Sequence, residues 1–527
     1  MHVRVFLNSP GPVTCEAFNR LGDGGLATVV GCLATTEQAR LIRQFFASPR
    51  IIEREALFAD GLGGTFRGAD TRLLTPELLE SLHWAEGIAY EMMDRIDTDR
   101  SQRFRERRDL FLYLVAFWTQ QVHELDIDVF YSQETPHEVA DFVLFAVMKS
   151  LGRQTLLFSR TLILGEWFFA DDYRYPRTVF HWPPGDPRRS VRAADDDETI
   201  LERHIATVRG SYSEAMAAYL NYMNAVVDDT AVSPAADRFG SLLRRGRTEA
   251  AVVTNGINSM ARTFGEVRRR PGPTVPNALA RVAHAWLTYA SAQDLATTYP
   301  RHAHLPDTES PFVYFLLGYQ PENTNCPEGA RFGNQLLAVS LLARCLPPGW
   351  RIVVKEHPAQ LANQGRGASG YGNLGREASL YESLSRIPDV EMASIESDHF
   401  HLVDSSSAVA TLTGTAGWEA AVRGKPVLCF GEAWYQSAPN VQRIRTTQDC
   451  ERCLEAVAKE ELLSGADLDA ALVSYIREVT QRTHTMVLNE WDAEVTGLPF
   501  DLPEQRATLE RIFTGYIDGS LTSSSER

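Results

Sequence analysis

The stretch Ala408–Gly431, AVATLTGTAGWEAAVRGKPVLCFG, holds a strand, a tight turn, a helix and a second strand in immediate succession. Ala408 to Leu412 is short, apolar and uncharged, as a strand covered on both faces must be. The turn Thr413-Gly414-Thr415-Ala416-Gly417 ends it, Ala416 to Arg423 reads as the helix, and Pro426 to Phe430 returns as a strand closed by Gly431. Strands alternating with helices at this interval require a parallel sheet, and such sheets bind ligands in the crevice at the carboxyl ends of their strands.

The same rhythm continues upstream. Phe312 to Leu317 is a buried strand, Gly318 to Gly329 a loop, and Gly333 to Cys345 a helix with apolar residues at Leu336, Leu337, Val339, Leu341 and Leu342. Arg351 to Lys355 is the next strand, stopped at His357-Pro358, and Ser379 to Ser385 is a short helix beyond a Gly-rich loop. The beginning of the chain repeats the alternation: Val3 to Leu7 as strand, Glu77 to Ile96 and Phe111 to His123 as helix, and Ile127 to Tyr131 as strand. A helix then enters through Thr135-Pro136 and runs to Leu151, and Thr155 to Phe158 is strand again. Tyr173 to Asp197, rich in Pro, Arg and Asp, reads as a surface loop, and Glu198 to about Thr298 as mostly helical. The expected division is an α/β domain over 1–172, a loop and helical region over 173–307, a second α/β domain over 308–470, and C-terminal helices over 471–527 that pack back on the first domain.

Composition narrows the function. The 527 residues are 44% hydrophobic, enough for two cores, and carry a formal charge of -16, which argues against a surface devoted to nucleic acid. The longest apolar runs, Leu110 to Trp118 and Phe142 to Met148, are too short to span a bilayer, so the expectation is a cytoplasmic protein with at most peripheral contact at the inner face of a membrane. Seven cysteines without regular spacing suit a reducing compartment, and Cys450 and Cys453 read as neighbours on a helix from about Thr447 to Lys459.

Residues suited to chemistry gather at strand ends. Gln320 and Glu322 lie in a polar loop after the first strand of the second domain. Lys355 and His357 follow its second strand, where a cation and an imidazole suit a phosphate. The turn Thr413, Gly414, Thr415, Ala416 aims backbone N–H groups and a helix N-terminus at one point, and Glu419, read as lying in that helix's first turn, suits either the dipole or the hydroxyls of a ribose. In the first domain Glu134 and His137 follow a strand and could take a proton from an acceptor hydroxyl. The alternative there is an N-terminal cap, with Thr135 capping and Glu138 its partner. Glu166, Asp171 and Asp172 form a further carboxylate cluster or a solvated loop. Ser405-Ser406-Ser407 precedes its strand and reads as a turn.

Tyr319-Gln320-Pro321-Glu322, Val354-Lys355-Glu356-His357-Pro358, Thr413-Gly414-Thr415-Ala416-Gly417-Trp418-Glu419-Ala420, Gly424-Lys425-Pro426-Val427 and Phe430-Gly431, in that order, resemble the capsular polysaccharide and surface-carbohydrate biosynthesis proteins. These are similar to GT-B glycosyltransferases of the kind that transfer Kdo from a CMP-activated donor. The resemblance implies two Rossmann-like domains facing a central cleft, with a helical insertion between them. It implies transfer from a nucleotide-sugar donor to a glycan or glycolipid acceptor in capsule or lipopolysaccharide assembly, without cofactor or metal. It places His357 near the phosphate, the Thr413 to Ala416 turn around it and Glu419 on the ribose, and the acceptor on the first domain. Thr413 and Thr415 stand where the CMP-sugar enzymes often carry a serine pair, so the nucleotide base stays open. A nucleotide-sugar epimerase or hydrolase on the same scaffold, and a non-catalytic capsule-assembly protein, are the competing expectations.

Overall fold

The structure, a computed structural model, describes residues 2–58, 68–97, 103–163, 165–174, 177–188, 204–210, 294–320, 322–362, 375–490, 492–493 and 498–525. Two sheets organise it. The first contains β1 (Val3–Asn8), β2 (Ala27–Ala34), β3 (Arg50–Glu53), β4 (Val129–Ser132), β5 (Gln154–Arg160), β6 (Glu166–Ala170) and β7 (Thr178–His181). The second contains β8 (Ala303–His304), β9 (Phe312–Leu316), β10 (Arg351–Lys355), β11 (Val390–Ala393), β12 (Ala408–Thr411), β13 (Val427–Cys429) and β14 (Val441–Arg443). Two late strands, β15 (His484–Thr485) and β16 (Thr522–Ser525), return to the first sheet.

Strand order explains where ligands can bind. The second sheet runs β14-β13-β12-β9-β10-β11-β8 and is parallel throughout. From β9 the chain winds outward through β10 and β11, then comes back to β12 on the other side of β9. The connections on either side of β9 therefore part and leave a crevice at its carboxyl end. The first sheet runs β16-β7-β6-β5-β4-β1-β2-β3, and β1 to β5 repeat the same winding with the reversal at β1 and β4. Beyond β5 it becomes antiparallel: β6 pairs β5 and β15, and β7 pairs β6 and β16. The fold is thus α/β with two Rossmann-like sheets.

Each sheet is covered on both faces. On the first, Phe18 and Phe513 of the helices Pro12–Asp23 and Leu502–Ile517 pack with Tyr131 of β4, while Trp118 and Phe142 of the helices Phe104–Glu124 and Val139–Ser150 pack with Phe130 on the other face. The second sheet buries Val313, Leu342 and Leu454 on one face. Its other face is shared between domains: Trp418, Trp434 and Tyr475 pack in one cluster with Phe168 and Val179 of the first sheet and with Ile205 and Val208. That joint apolar wall is what seats one domain against the other.

Local readings differ from the structure at several points. Glu77 to Ile96 is broken at Leu82 into Pro76–Ser81 and His83–Met92. The helix expected from Thr135 starts only at Val139; Asp141 accepts the Glu138 N–H at 2.8 Å and so caps it, while the Thr135 hydroxyl is used elsewhere. Inside the supposed loop after Tyr173, Thr178–His181 is a strand, because its four residues pair with β16 and their Pro- and Arg-rich flanks hide them. Glu166 is no loop residue: it opens β6, is 4% exposed, and accepts hydroxyl protons from Thr483 at 2.6 Å and Thr485 at 2.5 Å. Most of the stretch read as helical between Glu198 and Thr298 lies outside the described residues. No helix among the described residues is long and apolar enough to cross a membrane.

Trp418 is 1% exposed, its ring lies 4.8 Å from that of Trp434, and its indole N–H donates to His204 at 3.3 Å. Trp418→Ala opens a cavity in the shared wall and is expected to cost about 3–5 kcal/mol of stability, read from urea denaturation.

Candidate functional site

The loops after β9, β10 and β12 meet at one edge of the second sheet. After β10, proline stops the strand and a buried ion pair fixes the turn. Glu356 is fully buried, its carboxylate 3.0 Å from Arg376 Nε, and it accepts from the Tyr381 hydroxyl at 2.7 Å and from the His357 N–H at 2.7 Å. A charge this deeply buried persists only when its partners are in place, so Glu356, Arg376 and Tyr381 hold the histidine's backbone rigidly. Arg376 also donates to the Gly318 carbonyl at 2.7 Å, which ties the loop after β9 to the same group.

The His357 ring faces Tyr319 at 5.5 Å and is only partly covered. Burial, and then the positive fields of Arg376, His399 and Lys355, push its pKa down to about 4. The imidazole is therefore held neutral, in a surround whose field is positive and so favours negative charge. Lys355 contributes by field: it is 4% exposed and its ammonium donates to the Ser397 carbonyl at 2.6 Å, while burial draws its own pKa down to about 8.

After β12, Gly414 caps the helix Thr415–Val422 with an extended backbone, and the Thr415 and Ala416 amides open that helix where its N–H groups have no partner within it. The Thr411 side chain accepts the Gly414 N–H at 3.2 Å, and the Thr413 hydroxyl donates to the Thr324 carbonyl at 2.9 Å, spanning the crevice between β12 and β9. Thr413 is therefore a strut of this turn. Gly417 has to be glycine: a Cβ there would collide with the Tyr435 hydroxyl and lie 2.8 Å from Thr411 Cγ2. Glu419 is the helix's fifth residue and so begins its second turn, not its first. Its Oε2 lies 3.1 Å from His399 Nε2, and the opposite ring nitrogen of His399 meets the Tyr314 hydroxyl at 3.1 Å. Oε1 of Glu419 has no protein partner among the described residues.

Gln320 is 8% exposed and its backbone N–H donates to Gln360 Oε1 at 2.9 Å, so this part of the loop is pinned to the helix after β10. Glu322 is bound through its carbonyl, which accepts from Arg95 at 3.0 Å. Arg95 belongs to the first domain. It also donates to the Cys326 carbonyl at 2.8 Å and to the carbonyl of His137.

The first domain's pair comes into the same region. Glu134 is half exposed, its carboxylate 4.0 Å from His137 Nδ1, and the same ring nitrogen lies 3.0 Å from the Thr135 carbonyl. Burial acts to lower the His137 pKa and is outweighed by the charges of Glu134 and Asp141, so it lies above the usual value. The Thr135 hydroxyl donates at 2.7 Å to Glu328 of the other domain, a carboxyl whose pKa burial raises against the pull of that bond, Arg177 and His137. The structure thus joins Glu134 and His137 to the loop 318–329, and that loop reaches His357 through Tyr319. Arg95, Arg376, Tyr381, Glu328 and His399 complete the site and were not picked out from the sequence. Among the described residues no group of three or more His, Cys, Asp or Glu is placed to hold a metal ion.

Residues 328–474 match the capsule polysaccharide biosynthesis protein family. The segment includes the ends of β10 and β12, with Lys355, His357 and the turn Thr413 to Ala416, while β9 and the residues Tyr319 to Glu322 precede it; over the matched residues the resemblance read from the sequence holds. No curated protein matches the chain. Among solved structures it is similar to the UDP-GlcNAc 2-epimerase of Methanocaldococcus jannaschii, at 10% identity over 91% of this chain and 99% of that one, with a TM-score of 0.23. It is also similar to a KpsC beta Kdo 2,7 transferase of Thermosulfurimonas dismutans, at 9% identity over 64% and 79%, TM-score 0.25. A third is the Neisseria meningitidis UDP-GlcNAc 2-epimerase bound to UDP-GlcNAc, at 9% over 91% and 99%, TM-score 0.22. Likenesses this loose carry no activity across.

The depressed His357 pKa has a definite sign. An unfolded histidine takes its proton near pH 6.5, whereas the folded one refuses it until about 4, so stability falls as pH falls through that window. His357→Gln is expected to remove a loss of about 2 kcal/mol between pH 7 and pH 5, read as the difference between wild-type and variant urea midpoints at the two pH values.

Proposed function

We propose that this protein is a glycosyltransferase of capsule or lipopolysaccharide assembly that moves a sugar from a nucleotide-activated donor, CMP-Kdo or a relative of it, to a glycan or glycolipid acceptor. The observation that carries this is the cationic surround of a neutral His357 at the same sheet edge as the N-terminus of the helix Thr415–Val422, on either side of the crevice after β9 and inside a capsule-synthesis segment. The donor's phosphates would take the His357 imidazole and the Thr415 and Ala416 amides, with Gln320, Glu322, Lys355, Thr413 and Gly414 shaping the pocket and Glu419 Oε1 accepting from the ribose. Cations and a helix terminus stabilise a departing phosphate without a metal, so the reaction is read as metal-independent and cofactor-free.

The acceptor would lie against the first domain, its hydroxyl deprotonated by Glu134 or His137 as the sugar–phosphate bond breaks. The elevated His137 pKa suits a group that gives and takes protons near neutrality. The site works from the inner face of the membrane in this reading.

A thermal-shift panel of CMP, UDP, GDP and ADP tests the donor half. One nucleotide is expected to raise the melting temperature and His357→Ala to abolish that rise; no shift with any of them sinks the nucleotide site and leaves a non-catalytic assembly role. With the donor class named, Glu134→Gln and His137→Gln are each expected to leave the nucleotide shift intact, and the variant at the working base to cut transfer by about 10²–10⁴-fold, measured as nucleotide released in the presence of acceptor. Release or sugar rearrangement that needs no acceptor would point to a hydrolase or epimerase instead.

A further inference from the structure

Glu419 is a carboxylate with half of its bonding left open. It is 7% exposed, and among the described residues no Lys or Arg comes within ion-pair distance of it; Arg423 interacts with it only through its field. His399 alone holds it, Nε2 to Oε2 at 3.1 Å. A carboxylate so nearly enclosed needs donors for both oxygens, and those that the fold withholds from Oε1 a ligand can bring.

The histidine is fixed more firmly than the carboxylate. His399 opens the helix His399–Ser405, whose N-cap Asp398 accepts the His401 N–H at 2.6 Å. Its ring packs on those of Phe400 and Tyr314, with centroids at 5.1 and 5.7 Å, and its Nδ1 meets the hydroxyl of Tyr314, a fully buried residue of β9. In either charge state Nε2 carries a proton for Glu419: a neutral ring takes the Tyr314 proton at Nδ1, and an imidazolium donates there to the phenol oxygen instead. The terminal torsion of a glutamate is broad and nearly twofold, so the bond from His399 is what decides which oxygen is occupied and which is free.

Placement adds a second argument. The same ring contributes to the positive field on His357, so one imidazole adjoins both the anion pocket and the carboxylate. A ligand that carries a phosphate and a vicinal diol on one sugar suits both. The diol can give two protons to Oε1, whereas a 2′-deoxy sugar leaves an enclosed acceptor unmet.

We propose that His399, held by Tyr314, is a positioning residue that keeps Glu419 Oε1 free for the sugar hydroxyls of the donor nucleotide, and that this makes the site select ribonucleotides over 2′-deoxyribonucleotides. It rests on the proposed function for the nucleotide itself; the selectivity and the two residues that enforce it go beyond that reading.

The test is isothermal titration of the full chain with each nucleotide of the thermal-shift panel beside its 2′-deoxy counterpart: CMP with dCMP, UDP with dUDP, GDP with dGDP and ADP with dADP. The wild type is expected to bind one ribonucleotide about 10–100-fold more tightly than its deoxy form. His399→Ala is expected to weaken the ribonucleotide alone, which collapses the preference to about twofold or less. His399→Gln, whose amide can still donate to Oε2, retains part of it. Tyr314→Phe removes only the phenol oxygen and lowers the preference in a folded protein, which the urea midpoint checks. Equal binding of both members of the pair, a preference unchanged in either His399→Ala or Tyr314→Phe, or an equal loss on both ligands in His399→Ala overturns the inference and leaves the nucleotide site standing. If no nucleotide of either kind binds, the proposed function falls and the selectivity with it.

Discussion

One guanidinium joins the two halves of the crevice. Arg95, at the end of a first-domain helical turn, is 9% exposed and satisfies carbonyls on both sides: His137 of its own domain, Glu322 and Cys326 of the other. Hydrogen bonds from a charged donor contribute about 1.5–3 kcal/mol each, and losing the donor takes a partner from three carbonyls at once, that of Cys326 in a buried position. The loops that carry the site are irregular and take their shape from such ties. Thr135 to Glu328 is the second of them. Together with the shared apolar wall, these two links fix Glu134 and His137 relative to the loop that carries Tyr319 and Glu322.

Around His357, burial and neighbouring positive charge act in the same direction. Arg376 is neutralised by Glu356, and His399 is engaged by Glu419, yet both still depress His357 because pairing screens a charge without deleting its field. In the proposed reading, a donor phosphate would add the negative charge that this surround lacks.

The second domain was legible because parallel strands are buried on both faces and read as continuous apolar runs; Arg351–Lys355 was placed to the residue, and β9 and β12 to within one. The strand Val390–Ala393 and the helix His399–Ser405 are short and mixed in polarity, and with them His399 went unread. Arg376 and Tyr381 could not be tied to Glu356 from sequence, since the pairing spans 20 and 25 residues across a loop with no periodicity. Thr135-Pro136-His137-Glu138 has the spacing of a capping box, but the chain stays non-helical until Glu138 because the Thr135 hydroxyl has a carboxyl in the other domain to bond. Local pattern could not reveal a partner 193 residues away.

Strand β16 has a consequence for how the molecule is made. It pairs with β7, and the helix before it covers Phe18 on the first sheet, so a domain begun at Val3 is completed only by Thr522–Ser525. A ribosome adding roughly 5–20 residues per second needs roughly 20–70 s to travel from His181 to Ser525. Through that interval the nascent first sheet carries an open edge and an uncovered apolar face, and both are closed by the last-made segment of the chain.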